Sequence, residues 1–178
     1  MIPLIPRPEP SEYAPFYANY IAKVSGGDLF ATMQTTHRTT QELLGSLSPE
    51  QQQFRYAEGK WSIREVVGHL IDAERIFAYR ALRFARGDVR ELQGFEENDY
   101  VVASNANDRS IADLLSEFAV VRAATLALLR SFTPAMLTNT GTASGTLISV
   151  RALAYIIAGH EIHHLGVIRE RYLHENQL

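Results

Sequence analysis

The chain contains no cysteine. Disulfides and thiolate ligation are therefore excluded, and any metal ion must be held by His, Asp, Glu or backbone oxygen. No segment approaches the roughly 18 consecutive apolar residues of a membrane span. The first ten residues are broken by proline and lack the basic start and continuous apolar stretch of a secretory leader. These absences lead us to expect a soluble, cytoplasmic protein. Charge of one sign is missing too. A formal net charge of −3 gives no general attraction for nucleic acid or anionic lipid, so the expected partners are small-molecule substrates, not nucleic acid or membrane. Period-two alternation is also absent over any useful length, Val101-Val102 being too short for a strand.

What remains is the composition of a folded chain: 46% apolar residues against 21% charged, unlike a disordered polymer. Its 178 residues suit a single domain over 1–178. Four long segments carry helical periodicity. The first spans about Asp28 to Leu47, after the Ser25-Gly26-Gly27 break, with a shorter helical piece near Ser11 to Val24 ahead of it. The second starts at Ser62, which forms a capping box with Glu65, and runs to about Arg86, before Gly87. The third spans about Ser110 to Phe132, and the fourth follows the Gly141 to Gly145 loop, from about Leu147 to Leu173. Their lengths predict an all-α four-helix bundle. One connection, Asp88 to Arg109, is long enough to cross a bundle end and line a site.

At 100° per residue, the apolar stripe of the fourth helix contains Val150, Leu153, Ala154, Ile157, Val167 and Ile168. His160 and His164 fall within it, one turn apart. A single inward histidine is ordinarily satisfied by a hydrogen bond. Two at i and i+4 need several buried polar partners or present their lone pairs to one metal ion; spacing leaves both readings open. The run His160-Glu161-Ile162-His163-His164 also satisfies H-E-x-x-H, the zinc-protease motif. That form needs a third ligand further along the chain, and His174 lies about 15 Å up the same helix. Gly166 is one position early for the extended motif. His69, at the edge of the second helix's stripe, is the better third ligand. His37, flanked by Thr and Arg, reads as surface.

The segments Gly59-Lys60-Trp61-Ser62-Ile63, Gly68-His69-Leu70 and Ala158-Gly159-His160-Glu161-Ile162-His163-His164-Leu165-Gly166 resemble the DinB-like superfamily. The likeness is greatest to its YfiT-like branch of metal-dependent hydrolases and thiol transferases. Asp72-Ala73-Glu74-Arg75, Tyr79 to Phe84, Gly94 to Tyr100 and Val121-Arg122 extend it over nearly the whole chain. The resemblance implies an up-down-down-up bundle, often a homodimer, with nickel or zinc held at the positions of His69, His160 and His164. It further implies transfer of a low-molecular-weight thiol to an electrophile. The alternatives are hydrolysis by hydroxide on the metal, with Glu161 or a loop acid as base, and a non-catalytic bundle that the metal only stabilises.

Other polar residues have two readings each. Glu74 and Arg122 lie at apolar-stripe angles and are expected to form a buried pair between the second and third helices. Asp72, one turn from His69, could accept its second N–H or be solvated. Arg75, Arg80, Arg83, Arg86 and Arg90 suit a helix C-terminus, but Arg80 shares the His69 face and could steer an anionic substrate group. Trp61 is expected to anchor the core, and His163 to stand beside the ligands rather than among them. Asn98, Asp99 and Tyr100 could reach the site from the long loop.

Overall fold

The computed structural model describes residues 4–173; His174 lies outside them. Short 3-10 turns at Pro10–Glu12 and Pro15–Tyr17 lead into α1 (Ala18–Lys23). The single helix expected near Ser11 to Val24 is broken, because Pro15 has no N–H to donate. The Asp28 side chain accepts from Phe30 N and caps α2 (Leu29–Gly45). A one-turn α3 (Pro49–Gln53) precedes α4 (Ile63–Ala85), which opens on the expected Ser62–Glu65 capping box. The long connection is not bare loop: it holds α5 (Glu97–Ala103), which contains Val101-Val102, and a 3-10 turn at Ala106–Asp108. Then come α6 (Ile111–Arg130) and a single turn, α7 (Pro134–Leu137).

The segment read as a glycine loop is a hairpin, β1 (Thr140–Ala143) with β2 (Thr146–Ser149). Its turn places Ser144 at φ 52° and Gly145 at φ 72°, a left-handed pair that matches the twist of two flanking strands. Gly141 is required beneath it, since a Cβ there would lie 2.2 Å from the Phe84 ring. Leu92 bridges to Ala143 in parallel, so the hairpin also holds the start of the long connection. The last helix, α8 (Val150–Val167), begins after β2 and widens into a π turn over Ile168–Tyr172.

Contacts along the bundle give the direction of each helix. Arg122 donates to Met33 O and Gln41 donates to Leu115 O, so α2 and α6 are antiparallel. Arg75 pairs with Glu117, and Asn107 at the head of α6 binds Glu65, so α4 and α6 run together. Tyr172 reaches Trp61 O, while Asn139, beside the start of α8, reaches Phe84 O, so α8 opposes α4. The order is up-down-down-up. Helices α2 and α4 face each other diagonally, as do α6 and α8; α1 packs on α8.

The apolar core forms two clusters. One, around Phe30, Phe84, Leu129 and Leu153, fills the end that bears the hairpin. The other, around Leu44, Leu70, Leu114 and Ile168, fills the opposite end. Buried Glu74, Arg122, His160 and Glu161 occupy the middle. Every residue of α8 from Ala152 to Glu161 is buried, as befits a helix covered on all sides.

Gly159 lets α1 approach α8: a Cβ there would lie 2.0 Å from Tyr20 O. Gly159→Ala should therefore push the two helices apart and destabilise the fold by about 1–3 kcal/mol or more, read as a lower urea midpoint.

Candidate metal centre

Three imidazoles meet in the middle of the bundle. The second turn of α4 delivers His69, and successive turns of α8 deliver His160 and His164. His160 Nε2 lies 3.0 Å from His69 Nε2 and 3.1 Å from His164 Nε2, and the three possible ligand atoms all fall within 4.8 Å of one another. His69 and His160 are 6% and 5% exposed. Aromatic rings wall them in: Trp61 stands 4.8 Å from His69, and Tyr20 and Phe77 stand 5.3 and 5.9 Å from His160. Trp61 thus shields a candidate ligand as well as anchoring the chain.

Hydrogen bonding alone does not account for this cluster. A ring nitrogen has one proton or one in-plane lone pair, so His160 Nε2 cannot satisfy both neighbours well. A divalent ion can. Ligands at 2.0–2.1 Å around a tetrahedral ion stand about 3.3 Å apart, close to the spacing seen. Charge state agrees. Burial holds His69 down to about 4. Burial, reinforced by the neighbouring histidines, puts His160 and His164 well below the usual range. All three rings are neutral at physiological pH, as ligands must be. Three imidazoles would leave room for an incoming group, the pattern of catalytic rather than sealed sites.

Two hollows meet at the cluster. One, of about 160 Å³, is lined by His69, His160, Tyr17, Tyr20, Phe77 and Arg80. The other, of about 340 Å³, lies on the His164 side and is lined by Trp61, Asn98, His163, Arg171 and Lys60 among others. A larger groove, about 710 Å³, runs along α2 and α8 past Thr32, Thr36 and Ile162 but touches none of the three histidines. Its size reflects a shallow, open surface.

The remaining candidates divide. Arg80 does share the hollow, 3% exposed, with Nη2 donating to Gln93 O and Ser144 Oγ. Asn98 lines the second hollow, and His163 stands beside His164, with ring centroids 5.1 Å apart. Glu161 turns away from the imidazoles. Its carboxylate lies 3.0 Å from Arg122 Nη2 and 3.5 Å from His37 Nδ1, so it is committed to Arg122 rather than placed as a base. Asp72 faces Arg75 and a cleft with Arg109 and Glu117, not His69. The late arginines are not all simply solvated: Arg75 pairs with Glu117, and Arg83 and Arg90 with Asp88.

Sequence reasoning missed His37. It is not a surface residue: its ring stacks edge-on against Phe118 at 4.7 Å, and Gln41 Nε2 lies 3.2 Å from its Nε2. The signal available was its four-residue spacing from Met33 on a weakly amphipathic helix. Flanking polar residues hid it. The expected Glu74–Arg122 pair is present, with Arg122 Nε at 3.0 and 3.2 Å and Nη2 at 2.6 Å from the carboxylate. Burial opposes the charge on Arg122, but Glu74 and Glu161 outweigh it and hold the guanidinium ionised.

Two outcomes follow. Arg122→Met would strand two buried carboxylates and should cost about 3–5 kcal/mol of stability, measured by urea denaturation. In metal-free protein His69 stays neutral in the fold but protonates near pH 6.5 when unfolded, so the unfolded state binds more protons below that pH. Stability should fall as pH drops from about 6.5 toward 4, His69 accounting for roughly 2 kcal/mol by pH 5. Urea melts at pH 7 and pH 5 should show that loss reduced in His69→Gln.

Comparison with known proteins agrees with this architecture. A search of the curated proteins finds no match. Among solved structures, YfiT from Bacillus subtilis aligns with a TM-score of 0.74 over 93% of this chain and 94% of that one, at 17% identity. It is described as a probable metal-dependent hydrolase with an unusual four-helix bundle topology. At that identity the likeness speaks for the fold. The family model described as the DinB superfamily matches residues 32–168, which include all three clustered histidines. This protein belongs to the DinB superfamily.

Proposed function

We propose that this protein is a metal-dependent enzyme that transfers a low-molecular-weight thiol to an electrophilic substrate, with a divalent transition ion, zinc or nickel, held by His69, His160 and His164. The carrying observation is the meeting of two separate hollows at three neutral imidazoles, an arrangement suited to two co-substrates. The ion, when bound, supplies Lewis acidity that lowers the pKa of a thiol or water brought to it. The chain's own contribution is placement. Trp61, Tyr20 and Phe77 limit water around the imidazoles, and a low local dielectric strengthens polar interactions there. The absence of cysteine suits a reaction whose nucleophile arrives with a substrate.

Hydrolysis is the second reading, favoured by the fold shared with YfiT and its description as a probable metal-dependent hydrolase. With Glu161 committed to Arg122 and His37, the base for that reaction would be supplied by another group. Glu97, on the rim of the smaller hollow, is the carboxylate best placed.

Untagged protein should contain about one equivalent of divalent metal, measured by elemental analysis. It should conjugate monochlorobimane to at least one of several small thiols. His160→Ala should lose the metal and at least 100-fold of turnover while its circular dichroism stays helical. Ester turnover without added thiol would favour hydrolysis. Absence of both activities, with collapse of the fold in His160→Ala, would assign the metal a purely structural role.

A further inference from the structure

Among the described residues two guanidinium groups are buried, and they are treated differently. Arg122, 2% exposed, has two carboxylates, Glu74 and Glu161. Arg80, 3% exposed, has no carboxylate within ion-pair distance among the described residues. Its neighbours are neutral: Gln93 O at 3.1 Å, Ser144 Oγ at 3.0 Å, the Tyr17 hydroxyl, and the Phe77 ring 6.0 Å from its Cζ. Buried charges are ordinarily paired because desolvation is costly. Arg80 instead borders the 160 Å³ hollow that also exposes His69 and His160.

We propose that Arg80 is the anchor for a substrate carboxylate, making the smaller hollow a subsite for a short monocarboxylate arm. The proposal deepens the reading above and rests on it only for where the rest of the substrate goes, namely toward the three histidines. Charge count favours a monoanion over phosphate. One guanidinium serves the hollow, both protons of its Nη2 are already spent on neutral acceptors, and Glu97 adds negative charge at the rim. Size agrees, since 160 Å³ holds about five waters' worth of atoms, a side arm rather than a whole cofactor. The aromatic wall of Phe16, Tyr17, Tyr20, Phe77 and Phe95 suits the methylene carbons of such an arm. The hairpin matters because its turn supplies Ser144, which with Gln93 O fixes the orientation of the guanidinium.

The test compares 3-mercaptopropionate with 3-mercaptopropan-1-ol, a neutral probe of equal length, by calorimetric titration of metal-loaded and metal-free protein. Wild type should bind the acid at least tenfold more tightly in both forms. Arg80→Gln should bring the two probes within about twofold, and Arg80→Lys should keep most of the preference. Millimolar inorganic phosphate should not displace the acid. Equal affinity for the two probes in wild type, or an undiminished preference in Arg80→Gln, overturns the proposal; the wild-type comparison decides even if that variant fails to fold. Displacement by phosphate would overturn the monocarboxylate assignment. Protein that takes up no metal yet keeps the acid preference would refute the metal-dependent reading and leave the carboxylate subsite standing.

Discussion

All four long helices converge on one guanidinium. Arg122 on α6 binds Glu74 on α4, the Met33 carbonyl on α2 and Glu161 on α8. Two of these partners adjoin the candidate ligands: Glu161 follows His160 directly, and Glu74 lies five residues after His69. The pairing is a weak source of net stability, because a buried ion pair roughly repays its own desolvation. Its effect is on geometry. A directional contact between α4 and α8 limits how far either helix can slide or rotate, and hence how far the rings they carry can separate.

The bundle's middle is therefore polar while its ends are apolar. Packing at the two ends, around Phe84 and around Phe118, supplies most of the hydrophobic stabilisation, which scales with the apolar area buried. The middle layer costs desolvation and returns specificity. It places three neutral imidazoles together while the neighbouring carboxylates of Glu161 and Glu74 are held by Arg122. These polar groups lie where an apolar layer could have made the fold more stable.

Much of this was readable from residue order. The four long helices, the Ser62–Glu65 cap, the Glu74–Arg122 pair and the inward placement of His69, His160 and His164 all follow from 3.6-residue periodicity and local capping chemistry. What was not readable depends on tertiary contact. The β1–β2 strands are four residues each and rich in small side chains, so their alternation carries no pattern and the segment reads as a loop. His37 and Glu161 find each other across two helices, a pairing that local flanking residues do not encode. Helical phase separated Arg80 from the other arginines of its series and put it on the His69 face, but its contacts with Gln93 O and Ser144 Oγ depend on the long connection and the hairpin.

The up-down-down-up order has a kinetic consequence. His69 and His160 stand 91 positions apart in the chain, and α4 finds its antiparallel neighbour α8 only after α6 has been laid down alongside it. Closing so large a loop carries an entropic penalty that grows with the logarithm of its length, and non-local pairings of this kind slow folding. No fragment ending before α8 can assemble the triad. During synthesis the three imidazoles cannot come together until α8 has emerged, so any ion that needs all three of them could be captured only late in the protein's biogenesis.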